Sequence, residues 1–333
     1  MDNNVIKRLA VLNKDFESVT GSKFKNFFCP ILYSDENVDL CKAHIVNKSF
    51  PNTTRKWTIQ RKDVDEFYGA NFESDFSNIF YNQNTLRPDE VLVDKSLSKK
   101  LKPKIEINGN ELSYFYAYKK TPAIFPKYKV FSNENSVDIA LKTNSVNQEI
   151  LNESNWEIVI NHDLRLAALV SLIKSAYLTL FNMLGYKYAL SSGSHIGSIV
   201  LGKFYTDNIK DKSKKSVLSK SIPFFENYTQ LVRPLESCSY DFKGTAIDNT
   251  VLICETNGCF WGCIVIIKIG TKIHHVVMPL FDSIYGESLF YSFLSKEIYQ
   301  FRIRFAQYKE NQWFLFKQTY DIPWPQQNVS LLP

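Results

Sequence analysis

Two cysteines, a histidine and an asparagine lie close together near the start of the chain, in Cys29-Pro30-Ile31 and Leu40-Cys41-Lys42-Ala43-His44-Ile45-Val46-Asn47. A thiolate pair can hold zinc, but Cys29 and Cys41 lack CxxC partners, Leu32 standing where a second cysteine would fall, so they read as small apolar residues ahead of zinc ligands. Around them Lys42, Lys48, Arg55, Lys56, Arg61 and Lys62 interleave with Phe50 and Trp57. Cations alternating with aromatic rings suit a nucleic-acid backbone and its bases, and they also suit a plain solvated face. Farther on, Cys254, Cys259 and Cys263 straddle an expected hairpin as core residues. His274 and His275 are neighbours on an alternating strand, so their rings point to opposite faces and cannot share one ion. Ser191 to Gly193 lacks the glycine pattern of a nucleophile elbow.

The elements that position these groups follow from hydrophobic spacing. Residues 27 to 33, 38 to 46 and 57 to 68 read as strands, and Gly69 to Phe80 reads as a helix with Phe72, Phe76, Ile79 and Phe80 on one side. A cut near residue 100, after the charged run Lys95 to Lys104, would separate residues 1–100 from 101–333. Beyond it Asn108-Gly109-Asn110 predicts a hairpin turn. The strongest helix spans Asp163 to Leu184, with Leu169, Ile173, Leu180 and Phe181 at steps of three and four, and it stops at Gly185. Ile196 to Phe204 suits a shorter helix, Lys210 to Lys220 a polar loop, and Val251 to Leu280 a meander of three strands. The fold class is therefore α+β.

The segment from 27 to 80, with its cysteine-containing hairpin, the His44-Ile45 dipeptide and a following helix, resembles the HNH (ββα-metal, His-Me finger) endonuclease motif over about a sixth of the chain. The resemblance implies metal-dependent hydrolysis of nucleic-acid phosphodiesters, DNA before RNA. His44 would take a proton from water, while Asp75 and Asn71, on one face of the helix, would hold Mg2+ or Mn2+. Arg55, Lys56, Arg61 and Lys62 would contact phosphates, and Gln60 or Asn47 would stand for the family's middle asparagine. The sequence departs from the motif at Ala43, where the family often has an acid or a second histidine. No histidine lies on the following helix, the next being His162. The alternative is an inactive HNH-like module that binds nucleic acid or a protein partner.

Composition narrows the classes further. The 333 residues are 44% hydrophobic and 22% charged, with 40 Lys+Arg against 34 Asp+Glu, a formal balance of +6 that suits an anionic partner. That excludes wholesale disorder. The most apolar stretches are broken by Ser171, Lys174, Asn182, Glu255 and Asn257, so no membrane span is expected. The first residues lack the apolar core of a secretory signal and six cysteines are too few for a disulfide scaffold, which predicts a cytoplasmic chain with reduced thiols.

Overall fold

The computed structural model describes residues 3–50, 56–77, 88–95, 98, 103–107, 110–125, 127–132, 135–142, 156–159, 164–233, 250–269, 272–298 and 300–323. The chain is mixed α+β, and all strand pairs among the described residues are antiparallel. It divides into two compact units, one joining Met1–Asn78 to Arg165–Pro333 and the other formed by Ile79–Leu164. The expected cut near residue 100 thus falls inside the second unit, and the N-terminal segment shares its core with the C-terminal half.

The reason lies in residues 27–33. Their apolar character predicts a strand, yet they form a buried loop. The Asp35 carboxylate accepts the N–H groups of Lys25, Asn26 and Phe27 at 2.6, 2.9 and 3.1 Å, and the Tyr33 N–H returns to the Cys29 carbonyl at 2.9 Å. Tyr177 donates its hydroxyl to the Pro30 carbonyl at 2.5 Å, Tyr186 donates to Phe28, and Phe27, Cys29 and Ile31 are fully enclosed. Side chains from the second half satisfy carbonyls that a sheet neighbour would otherwise take. Gly202 permits this approach, since a Cβ there would stand 2.2 Å from the Ile31 carbonyl oxygen.

In the first unit, α1 (Asn3–Thr20) buries Val5, Leu12 and Phe16. Then β1 (Leu40–His44) pairs with β2 (Trp57–Arg61), placing Cys41 opposite Gln60 and His44 opposite Trp57. The chain turns directly into α2 (Lys62–Tyr68), ahead of the expected helix start and in place of the expected end of the strand. Val64, Phe67 and Tyr68 are buried at steps of three and four, so the helical period begins at Val64, with Asp63 and Asp65 favourably placed in the first turn. A π-helical turn, Gly69–Glu73, follows, closed by the Ser74 N–H on the Gly69 carbonyl, and α-helical geometry resumes over 74–77.

The second unit holds α3 (Pro88–Val93), β3 (Lys104–Ile107), β4 (Asn110–Leu112), β5 (Tyr114–Tyr116), β6 (Lys127–Ser132), β7 (Asn135–Leu141) and β8 (Trp156–Val159). Two three-stranded sheets, β4-β3-β8 and β5-β7-β6, share a core of Leu92, Ile105, Leu112, Val130, Ile139 and Leu141. The expected turn at Asn108-Gly109 lies outside the described residues, although β3 and β4 pair around it.

Back in the first unit, α4 (Leu164–Leu184) is the central helix the sequence predicts. Its Leu166–Leu184 stretch is long and apolar enough to cross a membrane, but 78% of it is buried inside the protein, as in a core helix. Ile173, Tyr177, Leu180 and Phe181 are fully enclosed, and the Phe181 ring meets Tyr186 edge-on at 5.2 Å. Truncating Phe181 to Ala should cost about 3–5 kcal/mol by leaving a cavity, read from urea unfolding. An unchanged transition midpoint would remove α4 from the centre of the core.

Next come α5 (Tyr186–Ala189), a π-helical turn His195–Gly202, α6 (Lys203–Asn208) and α7 (Lys214–Phe225). The last replaces the loop expected at Lys210 to Lys220. Ser213 caps it by accepting the Ser216 N–H, and Val217, Ser221 and Phe225 bury one face at steps of four. A six-stranded sheet completes the unit in the order β14-β13-β10-β11-β12-β9. Its strands are β9 (Val232–Arg233), β10 (Thr250–Thr256), β11 (Cys259–Ile269), β12 (Lys272–Pro279), β13 (Gln300–Lys309) and β14 (Gln312–Pro323), with α8 (Ile284–Leu294) between β12 and β13. The expected meander is β10-β11-β12, turned at Asn257 and Gly258, both at positive φ. The sequence reading did not foresee β13 and β14.

Candidate functional site

In β1, alternation decides which residues meet the helix behind it. The Cys41 thiol donates to Asp65 Oδ2 of α2 at 3.8 Å, and Ala43, on the same face, is fully buried. Lys42 and His44 therefore occupy the opposite face. There the Lys42 ammonium lies 5.0 Å from the centre of the Trp57 ring, and Trp57 is the register partner of His44. Lys42, His44 and Trp57 are all half-buried, so this end of the hairpin presents a cation, an imidazole and an indole together.

The residues expected to complete a metal site with His44 are each bonded to other partners. Asp75 pairs with Lys214 of α7 at 2.9 Å, and the Asn71 amide donates to the Phe67 carbonyl at 2.8 Å, one turn back on its own helix. Among the described residues no group of three His, Cys, Asp or Glu side chains is spaced to hold a metal ion. The donor set does not fit Mg2+ or Mn2+ as the resemblance implies. The cysteines fit zinc no better, each thiol having a separate partner: Cys29 donates to Gln60 Oε1 at 3.9 Å and accepts the Leu32 N–H at 3.4 Å, while Cys41 faces Asp65. Burial pushes the Cys29 thiol up to about 11, and burial plus the Asp65 charge pushes Cys41 up to about 12, so both stay protonated at neutral pH.

Of the expected phosphate contacts, Arg61 is otherwise engaged. Its guanidinium forms a two-pronged bond with Asp63 (3.1 and 2.8 Å) and reaches Glu36 at 2.9 Å and Ser34 at 3.2 Å, with the side chain 8% exposed. Arg61 ties the 34–36 turn to the start of α2 and is a structural residue, a correction to the expectation that it binds phosphate. Lys62 is exposed, with Glu66 at 3.8 Å, and Lys56 is half-buried just before β2. Arg55 lies outside the described residues.

Beneath the hairpin lies a cluster that sequence reasoning missed. Lys174, in the middle of α4 and 1% exposed, bonds Asp65 at 2.9 Å and Glu73 at 2.7 Å. The Asn47 amide donates to the other Glu73 oxygen at 3.4 Å, and the Lys174 ammonium lies 5.7 Å from the Tyr68 ring centre. In a regular helix positions 65 and 73 would point about 80° apart, and the extra residue of the π turn brings them to one side. Burial works against the charge on Lys174, but Glu73 and Asp65 outweigh it and hold its pKa above the ordinary value. A lysine kept charged in this way is neither base nor nucleophile. The cluster clamps the post-β1 loop, α2 and α4 together, and the one sequence signal for it is a charge in the middle of an apolar helix.

The hairpin end therefore presents a cationic and aromatic surface, with the buried ionic cluster of Lys174, Asp65 and Glu73 behind its other face. Comparison of the chain with protein-family models, with curated proteins and with solved structures finds no match to any of them.

Proposed function

We propose that the hairpin of β1 and β2 is a non-catalytic nucleic-acid-binding surface, with DNA the preferred polymer and an intracellular setting to match the free thiols. The observation that carries this reading is the Lys42 ammonium stacked on Trp57 beside His44, with Lys48 exposed on the following loop. A flat ring beside cations can stack on a base or pack against the sugar while the cations neutralise phosphates. Hydrolysis with His44 as base would need a metal held beside it, and Asn71 and Asp75 are turned to other partners.

The test is fluorescence anisotropy with a labelled duplex at several salt concentrations. Wild type should bind with a log-log salt slope that falls by about one for each phosphate contact removed, so Lys42→Glu combined with Lys48→Glu should lower it by about two and weaken binding to all sequences alike. Substituting Lys212 and Lys215, before and within α7, should change little. Loss of binding in that second pair with retention in the first would move the interface away from the hairpin. Arg61 is unsuited to this test, because its replacement would break the α2 junction. A plasmid-nicking assay with Mg2+ or Mn2+ serves as the second arm, and cleavage by wild type that His44→Ala abolishes would overturn the non-catalytic reading.

A further inference from the structure

The six-stranded sheet of the first unit ends on one side at β9, 2 residues long, and on the other at β14, 12 residues long. Among the described residues no strand pairs with the outer edge of β14. A long edge strand offers a row of unused N–H and C=O groups, which proteins ordinarily guard with charges, proline or a short length. At the start of β14 that guard is missing. Phe314, Leu315 and Phe316 follow one another and are 49, 39 and 45% exposed, which makes both faces of the edge apolar, and Lys317 after them is exposed too.

The turn before β14 decides which of its backbone groups point outward. Glu310 and Asn311, both at positive φ, form a two-residue turn between the register partners Lys309 and Gln312. In such a hairpin the pair flanking the turn exchanges hydrogen bonds, the next pair does not, and the alternation continues. Gln312 and Phe314 therefore direct their N–H and C=O groups to Lys309 and Gln307, while Trp313 and Leu315, opposite Tyr308 and Ala306, turn theirs away from β13. Beyond Leu315 the ladder bulges, with residues 316–318 opposite Phe305 alone before Thr319 resumes opposite Arg304.

We propose that this edge pairs with the same edge of a second copy of the chain, antiparallel about a two-fold axis at Leu315. Hydrogen bonds across such a pair join outward-pointing residues to outward-pointing residues, and Leu315 meets that condition as its own partner. The same register sets Phe314 opposite Phe316 of the second copy, so the exposed apolar residues of one strand cover those of the other. It also sets Lys317 opposite Trp313, a cation beside an indole. Moving the axis two residues on, to Lys317, would put two ammonium groups against each other. This self-complementarity points to a second copy rather than an unrelated strand, and the bulge limits the pairing to a short span around Leu315. An isologous contact of this kind closes as a dimer.

Sedimentation equilibrium of the full chain from about 1 to 500 µM tests the pairing. So short a contact should give a monomer–dimer equilibrium with a dissociation constant on the order of tens of micromolar. Leu315→Pro removes an outward N–H and leaves the β13 ladder intact, so it should weaken the dimer at least about tenfold while the chain keeps a cooperative unfolding transition. Leu315→Lys retains every backbone N–H, which covers the case of a proline variant that fails to fold. It sets two ammonium groups on the axis and should weaken the dimer similarly at low salt, with partial recovery at high salt. Paired Cα atoms about 5.5 Å apart suit a disulfide, so Leu315→Cys should cross-link under oxidised glutathione, and Thr319→Cys should do so no more than wild type. Lys42→Glu should dimerise as wild type does, because the pairing does not depend on the β1–β2 hairpin binding nucleic acid. A chain that stays monomeric over the whole range, a dimer that survives both Leu315→Pro and Leu315→Lys, or cross-linking at Thr319→Cys in preference to Leu315→Cys would each overturn the inference.

Discussion

Replacing Lys174 with methionine should destabilise the protein by about 3–5 kcal/mol in urea unfolding, among the largest effects available from a single side chain. Methionine nearly matches the length of lysine, so little cavity is created. What changes is charge: Glu73, with its side chain 11% exposed, and Asp65, 30% exposed, are left facing each other without a cation. A buried carboxylate without its partner is far more costly than the intact pair is favourable. The same reasoning predicts a rescue, since Lys174→Met combined with Asp65→Asn and Glu73→Gln should recover much of the loss. Asn47 can still donate to the amide oxygen that Glu73→Gln provides. A loss below about 1 kcal/mol in the single variant would mean that the cluster is hydrated and weak. Failure of the triple variant to recover would mean that Lys174 acts through packing against Tyr68 rather than through charge.

This cluster also shows where the sequence stops being legible. The apolar spacing of α4 made its existence plain, and the Asn257-Gly258 turn marked the β10–β11 hairpin, because both signals are local. Lys174 could be seen as an interruption of an apolar run, but its partners lie 109 and 101 positions away, and no local pattern connects them. Residues 27–33 misled for the opposite reason. Their aromatic and aliphatic run is a true burial signal, but burial came from tyrosines of the second half capping loop carbonyls, not from a pleated sheet. The same long-range contacts defeat a cut near residue 100, since nothing in the composition shows that residues 165–333 return to pack with 1–78.

For the candidate site, residue types were readable and directions were not. Basic and aromatic side chains do gather at the hairpin, with Lys42 on Trp57. Asn71 lies within the π turn and Asp75 in the α-helical stretch after it, so the two do not keep the i, i+4 relation of a regular α-helix. A single inserted residue per turn rotates everything after it by about 100°, enough to move a side chain from one face to another. Arg61 illustrates the complementary limit: a basic residue beside a proposed site looks like a phosphate ligand until its own neighbours, Asp63 and Glu36, are placed in space.

Stability should fall as the solution is acidified from about pH 6.5 to pH 4, by on the order of 3 kcal/mol from His275 alone. His275 is buried on β12, 8% exposed, and burial pushes its pKa from 6.5 down to about 4. In the unfolded chain the same ring titrates near 6.5, so between these two values the unfolded state carries a proton that the folded state refuses. Stability from this group is therefore fully present above pH 6.5 and drains away as pH falls toward 4. His195, whose pKa burial also lowers, adds in the same direction. Carboxylates that are hydrogen-bonded in the folded state lose stability in acid as well, so the His275 contribution must be read as a difference between proteins. Denaturation midpoints of wild type, His275→Phe and His275→Gln, followed from pH 7.5 to pH 4, isolate it. Both variants should lose less stability than wild type across that window, His275→Phe most clearly because it also keeps the site apolar. Parallel pH profiles for all three proteins would show that the imidazole reaches water in the folded state and that β12 does not enclose it.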